Sequence, residues 1–158
     1  MSKTTRATQM LAKAGVAFTA VSYDYDPNAE RIGLQAAESI GEPPHLVLKT
    51  LMAEVDGKAV CVVVPSDKEV SMKRLAAAFA GKSANMMKPA DAERATGYHV
   101  GGISPFGQKK LVPTAIEIQS IDHAYVYMNG GQRGLQVRLS PKYALSVLKA
   151  SAAALVAD

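Results

Sequence analysis

Asp56-Gly57 divides two apolar runs, and that division commits the chain to a sheet with a covered centre. An Asp-Gly pair supplies the positive-φ residues of a tight two-residue hairpin. The arriving run, residues 46–55, reads as a strand. The returning run, Ala59-Val60-Cys61-Val62-Val63-Val64, is apolar at odd and even positions alike. A strand apolar on both faces belongs in the middle of a sheet.

The other elements follow from periodicity and punctuation. Residues 4–14 form a helix by pattern: Ala7, Met10, Leu11 and Ala14 recur at helical spacing, and Gly15 ends it. Residues 17–23 read as a strand and 33–40 as a short helix stopped by Gly41. Ser71 caps a helix that places Met72, Leu75, Ala76 and Phe79 on one face and ends at Gly81. A strand near 84–87 precedes a helix over 89–96 with Pro89 in its first turn. Strands are expected at 114–119, 124–128 and 135–139. Ser140-Pro141 opens a last helix that runs to about Ala154. This order is not a regular βαβ alternation. It predicts an α+β domain spanning 1–158, with a mixed, largely antiparallel, curled sheet and flanking helices.

A chain of 158 residues, 48% hydrophobic and 20% charged, can bury a real core. No apolar run approaches the length of a membrane helix, and the N-terminus lacks the apolar centre of a signal peptide. The one cysteine, Cys61, has no internal disulfide partner. A cytoplasmic location without a membrane partner is the expectation. Residues 68–110 carry eight Lys/Arg against three acids, whereas 31–67 carry three bases against five acids. Such a basic sector suits a polyanion, nucleic acid first, or is a solvated lysine-rich face.

Residues 96–110, Thr-Gly-Tyr-His-Val-Gly-Gly-Ile-Ser-Pro-Phe-Gly-Gln-Lys-Lys, bend repeatedly within a few residues. Gly101-Gly102 can bring bare N–H groups to an anionic or carbonyl-bearing ligand, or can form a tight structural turn with a basic end. The glycine spacing matches neither a dinucleotide fingerprint nor a P-loop. Cys61 sits in the most apolar strand, where a thiol is filler. No Gly-x-Ser-x-Gly elbow is present, and His45, His99 and His123 lack metal-ligand spacing. Neither a cofactor nor a metal is expected. Lys49 interrupts Leu46-Val47-Leu48-Lys49-Thr50-Leu51-Met52-Ala53. It either snorkels to an edge or faces an anionic partner.

Tyr23 in Ser-Tyr-Asp-Tyr-Asp-Pro, Lys49-Thr50-Leu51, the 96–110 string and Gly130-Gly131-x-Arg133-Gly134-Leu135 stand in one order along nearly the whole chain. In this they resemble the YbaK-type Cys-tRNA(Pro) deacylases, freestanding relatives of the editing domain inserted in bacterial prolyl-tRNA synthetase. The resemblance implies a mixed β-barrel flanked by helices, and hydrolysis in trans of cysteine wrongly attached to proline tRNA. It implies Lys49 as the essential residue; beside it, the residues suggest that the Gly101 and Gly102 amides hold the carbonyl oxygen while Lys49 binds the phosphate or ribose of the terminal adenosine. The Gly101-to-Pro105 segment, including Ile103 and Ser104, would be the substrate loop, with Tyr23 and Thr50 in the pocket. Ile32, Asn129 and Gln136 stand there too, where the family commonly has an aromatic, a serine and an acid. The implied mechanism is substrate-assisted: the cysteine thiol attacks its own ester and leaves as a thiolactone. Prolyl-tRNA synthetase is an implied partner. Two other readings stay open, an editing enzyme for another small amino acid such as alanine, and a non-catalytic tRNA- or synthetase-binding module.

Overall fold

The computed structural model describes residues 4–28 and 32–158, with the Ile32 side chain outside that description. Helix α1 (Arg6–Lys13) starts at Thr5, whose hydroxyl accepts from the Thr8 N–H while the Thr8 side chain answers the Thr5 N–H. That reciprocal cap satisfies donors that a helix start otherwise leaves open. Strand β1 (Thr19–Ser22) and helix α2 (Ile32–Ile40) lead to a 3-10 turn over Pro44–Leu46. The hairpin is β2 (Leu48–Val55) and β3 (Lys58–Pro65), turning on Asp56 and Gly57 at φ 50° and 80°.

Helix α3 (Met72–Ala78), capped by Ser71, is followed by β4 (Ala84–Met86) and α4 (Pro89–Thr96). Then come β5 (Thr114–Glu117), β6 (Val126–Asn129), β7 (Leu135–Leu139), α5 (Pro141–Leu148) and β8 (Ser151–Ala153). Most boundaries fall within a residue or two of the sequence expectation. The expected last helix is the exception. It stops at Leu148, Lys149 turns left-handed at φ 52°, and Ser151–Ala153 pairs in parallel with β5. The run Ala150-Ser-Ala-Ala-Ala favours helix by propensity, and strand pairing overrides it. Ser140 stands at the cap position of α5 but makes no capping hydrogen bond.

Two sheets result, β1-β7-β6 and β4-β2-β3-β5-β8, with β3 at the centre of the larger. Four pairings are antiparallel, while β3/β5 and β5/β8 are parallel. The sheets meet at the Val47–Tyr127 bridge and do not close into a barrel. Alternation along β3 explains why both its faces are apolar. Val60, Val62 and Val64 pack beneath α3 with Leu75 and Leu155, whereas Val63 joins Leu48, Phe106, Met128 and α1's Leu11. Among the described residues no helix is long and apolar enough to cross a membrane.

The C-terminal segment is held by one buried acid. Glu117, 1% exposed, accepts from the N–H groups of Leu155 (2.8 Å), Val156 (3.1 Å) and Gln119 (3.0 Å). Removing it orphans backbone donors in a dry place. Glu117→Ala should cost about 3 kcal/mol in a urea titration, with binding and turnover per folded molecule unchanged.

Candidate active site

The cavity exists because β4 is short. It pairs only with Ala53–Val55, so the outer edge of β2 at Lys49–Leu51 has no ladder partner among the described residues. A hollow of about 300 Å³ opens along that edge, toward the smaller sheet. Strand β2 brings Lys49, Thr50 and Met52 to it; Met86 and Met87 come from the end of β4, and Ala92 from α4. The glycine-rich loop adds Val100, Gly101 and Ile103. From the other sheet, β6 and β7 pair Asn129 directly opposite Gln136, and Tyr23 follows β1 alongside them. The walls are chiefly Met, Val, Leu and Ala, with a few polar groups set among them, as ligand cavities are built.

Each polar group has a distinct situation. The Asn129 amide donates to the Gly101 carbonyl (3.2 Å) and its oxygen accepts from the Gly131 N–H (2.7 Å). Asn129 therefore clamps the loop to the 130–134 turn, and both ends of its amide are engaged. Gln136 is 4% exposed, and its Oε1 has no hydrogen-bond partner among the described residues. Thr50 Oγ1 is likewise buried without a partner. Unmade hydrogen bonds in a dry site are costly, and here two of them border one cavity. Burial pushes the Tyr23 hydroxyl above its ordinary value, partly offset by Gln136 and the Gly134 backbone and raised further by nearby Tyr25. Tyr23 is therefore neutral across the physiological range and able to donate.

Gly101 lies at φ 91°, and a Cβ built there would stand 2.5 Å from the Tyr25 hydroxyl. Its N–H has no protein acceptor among the described residues. Gly102 is placed differently: its N–H donates to the His99 carbonyl (2.8 Å), and it does not line the cavity. The expected pair of amide donors is thus reduced to Gly101. Ser104 and Pro105 are buried behind the loop, where Ser104 Oγ accepts from the Phe106 N–H (3.1 Å) and its carbonyl accepts from Gln108 (2.9 Å). They shape the turn and do not face the cavity. The Ile32 side chain lies outside the described residues.

Two residues that the sequence offered only as parts of motif strings prove structural to the site. Arg133 Nε donates to the Val100 carbonyl (2.9 Å), and its guanidinium stacks 5.5 Å from the centre of the Tyr25 ring. The methionine wall at 86–87 carried no signal beyond its apolarity.

Cys61 is 0% exposed, and burial pushes its thiol up to about 12, with Gln108 and Thr114 partly offsetting. It does not line the cavity. The folded protein should therefore resist thiol alkylation at pH 8 and become labelled only on unfolding, as mass spectrometry would read. The thiol's folded value exceeds its unfolded one, so its contribution to stability is intact below pH about 9 and is lost toward about 12. Among the described lining residues there is no Ser, Cys, His, Asp or Glu. Nor do three or more His, Cys, Asp or Glu gather anywhere among the described residues to hold a metal.

An apolar hollow edged by a lysine, a threonine and an amide defines a site that positions a small polar ligand and offers no triad. Residues 26–146 match the model of the aminoacyl-tRNA editing domain family. A similar protein is EbsC of Enterococcus faecalis, named as a candidate Cys-tRNA(Pro)/Cys-tRNA(Cys) deacylase. It is 36% identical over 113 residues, 70% of this chain and 68% of that one. The proline–tRNA ligase of Acidithiobacillus ferrooxidans is 31% identical over 71 residues, which are 45% of this chain but only 12% of the ligase. Among solved structures, a candidate trans-editing enzyme for prolyl-tRNA synthetase superposes with a TM-score of 0.81 at 20% identity, covering 97% of this chain and 96% of that one. The hypothetical protein APE2540 does so with a TM-score of 0.86 at 21% identity, covering 97% and 100%.

The chain belongs to the aminoacyl-tRNA editing domain family. It is an aminoacyl-tRNA deacylase, a hydrolase of the ester that joins an amino acid to tRNA.

Proposed function

We propose that the substrate is cysteinyl-tRNA, Cys-tRNA(Pro) above all, and that the cysteine supplies its own nucleophile. One observation carries this: the described cavity wall contains no activated nucleophile. Thr50 Oγ1 is the sole hydroxyl there besides Tyr23, and no base accepts its proton. An aminoacyl ester is already reactive, so alignment and charge can suffice if the attacking atom arrives with the substrate.

In this reading the cysteine sulfur bonds to its own carbonyl carbon, and the carbon–oxygen bond to the ribose breaks. The thiol proton passes to the ribose oxygen, so tRNA leaves with a free hydroxyl and the amino acid leaves as a thiolactone that water opens. Lys49 and the Gly101 N–H face the negative charge that develops on the ester oxygens. Gln136 Oε1, an acceptor lacking a donor, takes the α-ammonium group. The tyrosine at 23 and Thr50 flank the ribose. Ile103, with the methionines, closes over the side chain. That EbsC's name includes two tRNAs supports a site that reads the amino acid more than the tRNA. Prolyl-tRNA synthetase in the cytoplasm would then supply tRNA identity.

The test is ester loss from proline tRNA charged with cysteine, S-methylcysteine, alanine or proline. Cysteine alone should be released quickly, and S-methylation should slow release at least about 100-fold. Equal release of cysteine, S-methylcysteine and alanine would replace this mechanism with water attack on any small amino acid. Binding without release of any would leave a non-catalytic module.

A further inference from the structure

Residues 99–102 make a single turn. The Gly102 N–H donates to the His99 carbonyl (2.8 Å), and Gly101 stands third in the turn at φ 91°. Val100, second in the turn, does not have a positive φ. That combination is a type II turn. Types I and II differ chiefly in which way the peptide between the second and third residues faces. Here that peptide carries the Val100 carbonyl at one end and the Gly101 N–H at the other.

The flanking peptides are pinned from elsewhere. Glu93 of α4 accepts from the Val100 N–H (2.8 Å), and the Asn129 amide donates to the Gly101 carbonyl (3.2 Å). The middle peptide has one partner among the described residues: Arg133 Nε donates to the Val100 carbonyl (2.9 Å). The two loops meet so closely because Gly102 has no side chain, since a Cβ on it would lie 2.8 Å from the Arg133 backbone nitrogen. The Tyr25 ring, its centre 5.5 Å from the guanidinium carbon, backs the arginine. Arg133 is exposed and does not line the cavity, so core packing does not account for its reach back to the loop.

A trans peptide holds its carbonyl and its N–H on opposite sides. With the carbonyl turned to Arg133, the Gly101 N–H faces away from the arginine, and Gly101 lines the cavity while Arg133 does not. A charged donor on the carbonyl also polarises the peptide and strengthens its N–H as a donor. We propose that Arg133 is a positioning residue for deacylation: it holds the 99–102 turn in its type II form and so keeps the Gly101 N–H aimed at the ester oxygen. Without it the middle peptide turns over while Glu93 and Asn129 keep their bonds, and a carbonyl takes the donor's place. Glycine at the third position tolerates both forms. The inference rests on the deacylase reading of the cavity, and the experiment separates the two.

The variants Arg133→Ala, Arg133→Met and Arg133→Lys test it by two measurements. Arg133→Met keeps a stem over the Tyr25 ring without a donor, so it reads the lost hydrogen bond should Arg133→Ala misfold. In the ligand-free protein, the nuclear Overhauser contact from Val100 Hα to the Gly101 N–H is strong in a type II turn and weak once the middle peptide has turned over. It should be strong in the wild type, weakened in Arg133→Ala and Arg133→Met, and largely restored in Arg133→Lys, whose ammonium reaches the same carbonyl. In single-turnover ester loss from Cys-tRNA(Pro), the first two variants should lower the limiting rate about 10- to 100-fold, with half-saturation moving less than about threefold. Arg133→Lys should recover most of that rate. Half-saturation that rises at an unchanged limiting rate would make Arg133 an RNA contact and overturn the proposal. So would donor-free variants that keep the wild-type contact and rate, or an Arg133→Lys protein no better than Arg133→Ala. A wild type that shows the strong contact but releases no cysteine would overturn the deacylase reading instead, with the hold of Arg133 on the turn still read from the contact.

Discussion

Lys49→Ala should lower single-turnover ester loss from Cys-tRNA(Pro) by about 100- to 1000-fold, the range seen when one preorganised donor to a developing oxyanion is removed. The reason is local. Lys49 lies opposite Val64 in the β2–β3 ladder, at the stretch of β2 edge that β4 leaves uncovered, among Leu48, Leu51 and the methionines. A cation in that apolar setting acts at a low effective dielectric, where charge stabilisation is worth several times its value in water. Lys49 is only half-buried, so its loss should change the melting temperature little beside the fall in rate. Activity and stability would then move independently, which a general packing defect cannot produce. Lys49→Arg should restore only a fraction of the rate, because a planar guanidinium does not present the compact charge of an ammonium. A wild-type rate in Lys49→Ala would remove the lysine from the chemistry.

Much of the scaffold was legible because it is written in local chemistry. The Asp56-Gly57 hairpin, the Ser71 cap and the both-faced strand at 60–64 each depend on residues within a few positions of one another. The β8 strand was not legible. Nothing in Ser151–Ala153 favours extension except the exposed edge of β5, a partner more than thirty residues away. Lys49 announced itself as the charge in an apolar run. The cavity beside it did not, since it depends on how soon β4 ends. The roles at the site divided in the same way. Asn129 and Gln136 looked equivalent in sequence, yet the register of β6 and β7 sets them side by side with different partners: one amide is spent clamping Gly101 and Gly131, the other keeps an unsatisfied oxygen. Gly101 and Gly102 looked like a donor pair, and the His99 turn uses one of them.

Gly101→Ala is the second large effect, and it tests the loop as Lys49→Ala tests the charge. Two obstacles meet at this position. The backbone at φ 91° is strained for any residue with a Cβ, and that Cβ would stand 2.5 Å from the Tyr25 hydroxyl and 3.1 Å from its Cζ. Tyr25 cannot withdraw without disturbing Arg133, whose guanidinium stacks on it and whose Nε holds the Val100 carbonyl. Relief must come from the loop itself, pulling against the Asn129 hydrogen bond to the Gly101 carbonyl. A displacement of an ångström at a reacting centre can cost about 100-fold, and a fall in kcat of that order is expected with substrate binding far less affected. The loss in global stability should stay near 1–2 kcal/mol, the size of one strained residue. Gly101→Ala combined with Tyr25→Ala removes the collision and leaves the strain, so it should recover part of the rate. If Gly101→Ala hydrolyses Cys-tRNA(Pro) like the wild type, the loop is not held in the geometry on which alignment of the ester depends.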